Sequence, residues 1–418
     1  MVGILRFAQN DTIKPFNKLQ FIEFNYILLE QTICFCYNTL GDIMELKFNN
    51  GKFRIMQIAD TQDTSWTSPD TVNFIRCALK KAKPDLVVFS GDQLKGYGIT
   101  FNIGDRKANP KIAIDNLLKP LDEMGVPFTF VFGNHDDQCA ANKRQQLEIY
   151  KQHENCLAFN ADNNIDGYCN HNLLVMGEDG NPKLNVLLID SLSMSLNGRC
   201  SPVSEGQIEW YKNLRDELKE KYGDYVPTLM FQHIPVPEIW NLLTEVPKKK
   251  GVATGYRDHA GKFFDLNPEC CVINDHSFVW ETPATPKVNT GEFDALNEKG
   301  DVFAMFFGHD HNNSFMGEYK GMKMGYTQGC GFNVYGPADK RGVRIFDFDE
   351  NDVKNFETTT IEIGDLPDFK VEKKIRYNAY TYAPNSFDAA MPLIKGAVAG
   401  IVATVGLVTA SKILKKKK

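Results

Sequence analysis

Apolar runs that stop abruptly at polar residues recur along the chain. Ile55–Ala59 ends at Asp60, followed by Thr61, Gln62 and Asp63. PDLVVFSGDQ (84–93) carries a buried strand into a Gly-Asp turn. VPFTFVFGNHDD, NVLLIDS (185–191), PTLMFQHIP (227–235) and VFAMFFGHDHNN (302–313) repeat the theme. Near-continuous apolar strands belong to sheets covered on both faces. Ligands of such sheets collect at the carboxyl ends of the strands. Between these runs, residues 71–83 have helical spacing, and IAIDNLLKPLDEM predicts a helix stopped by Gly125. The alternation predicts an α/β fold. MELKFNNGKFRIMQIAD, starting at Met44, predicts a hairpin around an Asn-Asn-Gly turn. KMGYTQGCGFNVYG and RGVRIFDFDEN predict antiparallel strands, and DVKNFETTTIEI one more. Residues 236–300 read as a long irregular segment, and such lengths more often serve function than chance.

The two ends differ from the middle. Residues 1–43 are aromatic-rich without a clear period and lack the pattern of a secretory signal. They are expected to stand outside the fold, with Met44 as the biological start. A catalytic unit is expected over 44–375, a linker over 376–390, and an apolar helix with a basic end over 391–418. Residues 396–411 carry no charge, and Lys415–Lys418 close the chain. That stretch is near the shortest span for a bilayer, about 20 residues. It is expected to anchor the protein to a membrane, leaving the catalytic part in the cytoplasm; a core or self-associating helix is the alternative.

Charge and cysteine content change little. The net charge of −6 leaves no basic footprint for nucleic acid. Ten Cys without a repeated C-x-x-C spacing read as reduced thiols in a reducing compartment.

The chemistry lies in the polar clusters that end five of the strands: Asp60-Thr61-Gln62, Gly91-Asp92-Gln93, Gly133-Asn134-His135-Asp136, Gln232-His233-Ile234 and Gly308-His309-Asp310-His311. Each alone reads as a turn or a hydrogen-bonded structural residue. Jointly they offer carboxylate, amide and imidazole ligands on rigid strands. The set predicts a metal site.

These clusters resemble the motifs of the calcineurin-like metallophosphoesterase superfamily: D-x-H, G-D, G-N-H-[DE], a lone His and G-H-x-H. Four of the five blocks match in full over roughly 53–348. FQHIPVPE, GYTQGCGFNVYG and RGVRIFDFD look most similar to its purple-acid-phosphatase-like branch. The resemblance implies two facing mixed β-sheets flanked by helices, a four-layer sandwich. It implies a pair of divalent metals (Mn, Fe, Zn or Mg), with Asp92 bridging, Asp60 and His311 on the first ion, and Asn134, His233 and His309 on the second. His135 would face the substrate and Asp136 would orient His135. It also implies phosphate-ester hydrolysis by a metal-bridging hydroxide. A phosphomonoesterase is favoured, phosphoprotein substrates included. A phosphodiesterase or a nucleotide or lipid-headgroup pyrophosphatase stays open, and a non-catalytic scaffold is the reading from another class.

Gln62 departs from the pattern, standing where the family has His; its amide oxygen is expected to bind the first metal directly or through water. Purple enzymes place a Tyr three residues after the bridging Asp. Here that residue is Lys95, and Tyr97 comes two later. Lesser candidates are His259 and His276 at the surface or cleft, Asp63 as a cap or, through water, a metal contact, and Trp66 and Trp240 at the cleft or over the core. Asn312 and Asn313 would hold the loop after His311 or contact phosphate, and Arg257 and Lys95 are phosphate-contact candidates. With no tyrosinate placed on ferric iron, the iron-loaded protein is expected to be colourless. A strong visible absorption band would overturn that reading.

Overall fold

A computed structural model describes residues 45–195 and 198–382. The chain divides into two compact units, 1–45 and 46–418. The first lies almost wholly outside the described residues, as does the expected apolar tail of 391–418.

In the second unit, strands β1 (Lys52–Ile58), β2 (Leu86–Ser90) and β3 (Phe128–Val131) run parallel. The others are β4 (His171–Met176), β5 (Pro182–Leu188), β6 (Thr228–Phe231), β7 (Leu243–Glu245), β8 (Ala253–Thr254), β9 (Phe263–Leu266), β10 (Phe278–Val279), β11 (Val302–Phe307), β12 (Asn313–Tyr319), β13 (Met322–Tyr326), β14 (Gly342–Asp349) and β15 (Glu357–Glu362). One sheet has the order β15-β14-β1-β2-β3; the second is β10-β12-β13-β11-β6-β5-β4. Both are mixed, because β14 and β15 pair antiparallel in the first and β4 and β12 do so in the second. The α-helices are α1 (Pro69–Ala82), α2 (Asn109–Met124), α3 (Lys143–Tyr150), α4 (Glu205–Tyr222), α5 (Glu292–Asn297) and α6 (Lys374–Tyr382).

The apolar runs separate into layers because side chains alternate faces along a strand. Phe53 and Ile55 of β1, Leu86 and Val88 of β2, Leu229 and Phe231 of β6, and Ala304 and Phe306 of β11 meet in one cluster between the sheets. Met56, Ile58, Val87 and Phe89 point outward onto α1, α2 and α3. Met230, Met305 and Phe307 point the other way, onto α4 and α5. Every central strand thus buries both faces, which explains the unbroken apolar runs. The helix boundaries follow local signals. Ser68 caps α1, accepting from the Thr71 amide, and Gly125 ends α2 with φ 64°.

Four readings need correction. The Asn49–Lys52 turn forms, with Asn50 and Gly51 both at positive φ. Residues before it, however, pair with Met176 at the end of β4 instead of continuing a hairpin. The stretch 236–300 is not irregular: it holds the small sheet β7-β9-β8, strand β10 and helix α5. β13 lies antiparallel to β12 but parallel to β11. Residues 376–382, expected to be linker, are the end of helix α6, whose Tyr377 ring packs near Phe332. Among the described residues no helix is long and apolar enough to cross a membrane. The eight described cysteines are free thiols.

Glu292, at the start of α5, is buried. Burial and the charge of Glu238 push its carboxyl up to about 8, against a hydrogen bond from Gln232. Its folded pKa lies above the unfolded value near 4.3, so the native state binds the extra proton. The resulting stability is complete below about pH 4 and is lost as pH rises toward 8. Glu292→Gln is therefore expected to flatten this pH slope. Urea unfolding from pH 5 to 9 checks it; parallel slopes for both proteins would contradict the assignment.

Candidate metal centre

All five polar clusters lie at the carboxyl ends of parallel strands. Asp60 follows β1, Asp92 follows β2, and Asn134-His135 follow β3. From the facing sheet, His233 follows β6 and His309 and His311 follow β11. Gln57 of β1 helps join the two edges, donating to Ser90 Oγ and Phe307 O and accepting from Thr327 Oγ1. Gly91 lets β2 turn against His233: a Cβ there would fall 2.5 Å from the imidazole, and φ is 98°. Asp60, Gln62, Asp92 and His309 also hold positive φ, at 53°, 37°, 53° and 76°. Left-handed backbone costs a non-glycine residue about 1–2 kcal/mol. Such costs collect at sites where the surrounding structure over-determines the geometry.

Asp60, Asp92 and His233 form a buried group whose ligand atoms lie within 4.8 Å of one another. His233 Nε2 is 3.3 Å from Asp92 Oδ2 and 3.9 Å from Asp60 Oδ1. His311 Nε2 is 3.3 Å from Asp60 Oδ1. His309 Nδ1 approaches His233 Nε2 at 3.3 Å. The rings are oriented from outside. His233 Nδ1 faces the Ser90 carbonyl at 3.0 Å and His311 Nδ1 the Tyr335 carbonyl at 2.8 Å. Donation to those carbonyls turns both Nε2 atoms into the group, where a cation that displaces the Nε2 proton would meet a lone pair. Tyr335 also stacks on the His311 ring at 4.1 Å.

The buried carboxylates and imidazoles set one another's charge. Burial alone would raise Asp92, yet His233 and His135 hold it well below the usual carboxylate range. Burial pulls His233 down, but Asp92 and Asp60 outweigh it and push it up to about 10. Burial, reinforced by His233, keeps His309 neutral. Asp60 Oδ1 and Asn134 Oδ1 are buried without a hydrogen-bond partner. Buried oxygens of this kind are costly unless something binds them. The donor set, its lone-pair directions and these orphaned oxygens fit divalent cations.

Two assignments change. Asp136 does not orient His135. Its carboxylate accepts the backbone N–H groups of Asp92, Gly133 and Leu94 at 2.9, 2.7 and 2.8 Å. It staples the two motif loops together, although burial and the charge of Asp92 push it up to about 7. The partner of His135 is Gln138, whose Oε1 is 2.9 Å from Nδ1. Gln62 turns its amide nitrogen to the centre, 2.9 Å from Asp92 Oδ2, while its oxygen accepts from Tyr97 OH at 3.0 Å. A donor nitrogen serves the carboxylate and cannot ligate a cation. Only the turns bring Tyr97 and Gln138 close to their partners; the G-N-H-D-x-Q spacing is the one available signal for Gln138.

Other candidates have other partners. Asp63 caps the next segment, accepting from Thr64 and Ser68 N–H. His259 stacks on Trp240, and His276 pairs with Glu362. Trp66 is exposed. Arg257 donates to the Gly198 carbonyl. Asn313 Oδ1 and the Asn312 amide tie the loop after His311 to Trp280 and Glu281. Lys95 donates to the Asn333 carbonyl at 3.0 Å.

The calcineurin-like phosphoesterase family model matches residues 53–313. The chain belongs to this family. Calcineurin-like phosphoesterases are dinuclear metal-dependent hydrolases, and the buried group above is the corresponding candidate site here. Among curated relatives, probable inactive purple acid phosphatase 14 of Arabidopsis thaliana is 28% identical, covering 72% of this chain and 76% of its own length. Probable inactive purple acid phosphatase 29 from the same plant is 26% identical, over 76% and 83%. Phosphatase DCR2 of Saccharomyces cerevisiae is 26% identical over 64% of this chain and 45% of its own. A dimetal phosphatase from Danio rerio shares 14% identity, over 74% of this chain and 99% of that one, at a TM-score of 0.45.

Replacing the Gln62 donor with a lone-pair ligand should strengthen the calcineurin-like centre. Gln62→His is expected to tighten one equivalent of bound Mn²⁺ by about tenfold or more. Metal titration of the apo protein measures it, and an unchanged affinity would show that position 62 does not face the ion.

Proposed function

We propose that the protein is an active phosphoesterase that hydrolyses terminal phosphoryl groups, with phosphomonoesters favoured. The observation that carries this reading is the paired buried carboxylates Asp60 and Asp92 facing oriented imidazole lone pairs, with half-buried His135 beside them. Asp60, Asp92, Asn134, His233, His309 and His311 would hold two cations. When bound, such a pair supplies an ionised water at neutral pH and positive charge opposite the transferring phosphoryl group.

The chain's own groups do the rest. Asp92 accepts the His135 amide at 2.8 Å on one oxygen and faces His233 and Gln62 on the other. Its position is therefore fixed before substrate arrives. His135 Nε2 lies 4.0 Å from Asp92 Oδ2, at the open side of the group. With Nδ1 held by Gln138, Nε2 is the nitrogen left to protonate a departing oxygen. A positioned general acid of this kind contributes about 10²–10⁴-fold. Two plant relatives are named probable inactive and the yeast relative is named a phosphatase. The six candidate ligands and His135 all being present here favours activity.

Mn²⁺-loaded protein is expected to hydrolyse para-nitrophenyl phosphate faster than bis-para-nitrophenyl phosphate. Asp92→Asn should lose bound metal and at least about 10² in rate, and His135→Ala about 10²–10⁴ in kcat with metal retained. Equal rates for wild type and Asp92→Asn on both esters would sink the proposal. A faster diester reaction would favour a phosphodiesterase instead.

A further inference from the structure

A cleft of about 1040 Å³ adjoins the metal centre. It shares two walls with that centre. Tyr97, whose hydroxyl bonds Gln62, lies 4.6 Å from the His135 ring, and Tyr335 stacks on His311. The opposite wall is α6 with the residues just before it. This wall is anchored. Asp70 of α1 accepts the amides of Glu372 and Lys373 at 2.8 and 3.1 Å, and Arg376 donates to Asn333 Oδ1 at 3.0 Å. Asn333 in turn donates to Asp63, three residues after Asp60.

The lining combines flat rings with cations. Tyr97, Tyr335 and Tyr380 contribute rings, and Lys95, Lys374 and Arg376 positive charge. Lys95 Nζ lies 5.3 Å from the Tyr97 ring centre and 4.6 Å from that of Tyr380. Among the described residues it forms no ion pair, and its hydrogen bond goes to the Asn333 carbonyl. An ammonium has three donors. Partly buried between two rings beside the reaction centre, it suits a second anion. The volume suits a small ligand, since such sites span about 300–1,000 Å³.

We propose that this cleft is the leaving-group subsite and selects small phosphate compounds whose leaving group joins an aromatic ring to a second anionic group, with a nucleoside diphosphate as the simplest case. The inference rests on the phosphoesterase reading and adds its substrate class. The terminal phosphoryl would lie at the metal centre, the second phosphate at Lys95, and the base against Tyr97 and Tyr380. In the reaction, the oxygen of water bonds to the terminal phosphorus and the bond from that phosphorus to the bridging oxygen breaks. The electron pair stays on the bridging oxygen of the departing monophosphate, whose charge Lys95 faces. His135 is placed to protonate that oxygen, and the remaining water proton goes to solvent.

The test is titration calorimetry of the Mn²⁺-loaded full chain, with ADP and the phosphopeptide supplied as non-hydrolysable methylene and phosphonate analogues so that turnover cannot interfere. ADP, AMP, adenosine, inorganic phosphate and a phosphotyrosine peptide serve as probes. ADP is expected to bind tightest. Lys95→Ala and Tyr380→Ala should each weaken ADP by about tenfold, while Lys95→Arg and Tyr380→Phe retain most of the affinity and control for misfolding. In the Mn²⁺-loaded enzyme, Lys95→Ala and Tyr380→Ala should raise KM for ADP more than they lower kcat. ADP binding no tighter than phosphate overturns the proposal, as does a tighter phosphotyrosine peptide weakened by the same substitutions. Hydrolysis of para-nitrophenyl phosphate by wild type reads the phosphoesterase centre separately, so failure of either reading shows by itself.

Discussion

Everything at the site depends on burying two carboxylates where two sheets meet. Asp60 and Asp92 sit at the carboxyl ends of adjacent strands, nearly inaccessible to solvent. Removing such charges from water costs several kcal/mol each unless they are compensated. In the protein alone, compensation comes from His233 and His311 and from backbone N–H groups. Around Asp60 Oδ1 it rests on ring nitrogens alone, His311 Nε2 at 3.3 Å and His233 Nε2 at 3.9 Å. Divalent charge would suit two buried carboxylates this close to imidazole nitrogens, and the fold holds them rigidly. Gln57 and Asp136 keep the loops in place by hydrogen bonds that cross between strands.

That rigidity explains why the motif residues tolerate left-handed backbone. Asp60, Asp92 and His309 bend sharply out of their strands so that short side chains turn back toward one point. Glycine would adopt the bend freely but would bring no ligand. The neighbouring Gly91 and Gly133 take close approaches, against His233 and Asp92. Sheet packing behind the site, with Phe306 edge-on to Phe346 at 4.6 Å, fixes the strand ends. The conformational cost is thus met by packing far from the chemistry.

Much of this was legible in the sequence. The strands announced themselves because both faces are apolar, and their polar ends marked the site. α4 escaped notice: its buried face is interrupted by polar and charged residues, among them Gln207 and Arg215, so the periodicity is weak. The sheet within 236–300 was hidden because β7, β8 and β9 are two to four residues long. At the site, the motif order named the ligand candidates but not the partners of each side chain. Asp136 follows His135 directly in sequence, yet the turn sends its carboxylate to the Asp92 loop. Spacing could not distinguish a residue that orients an imidazole from one that staples two backbones.

Gln62 shows how one substitution can join two parts of a site. A histidine there would present a lone pair to a cation. The glutamine instead donates a hydrogen bond to Asp92 and accepts one from Tyr97. The carboxylate nearest the chemistry is thereby linked, through two hydrogen bonds, to a wall of the cleft. Tyr97 also packs on His135 and lies near Lys95. Displacing Tyr97 would disturb the donor on Asp92 as well as the ring beside His135. Buried hydrogen-bond chains polarise one another, so the charge on Asp92 is linked through Gln62 to the Tyr97 hydroxyl.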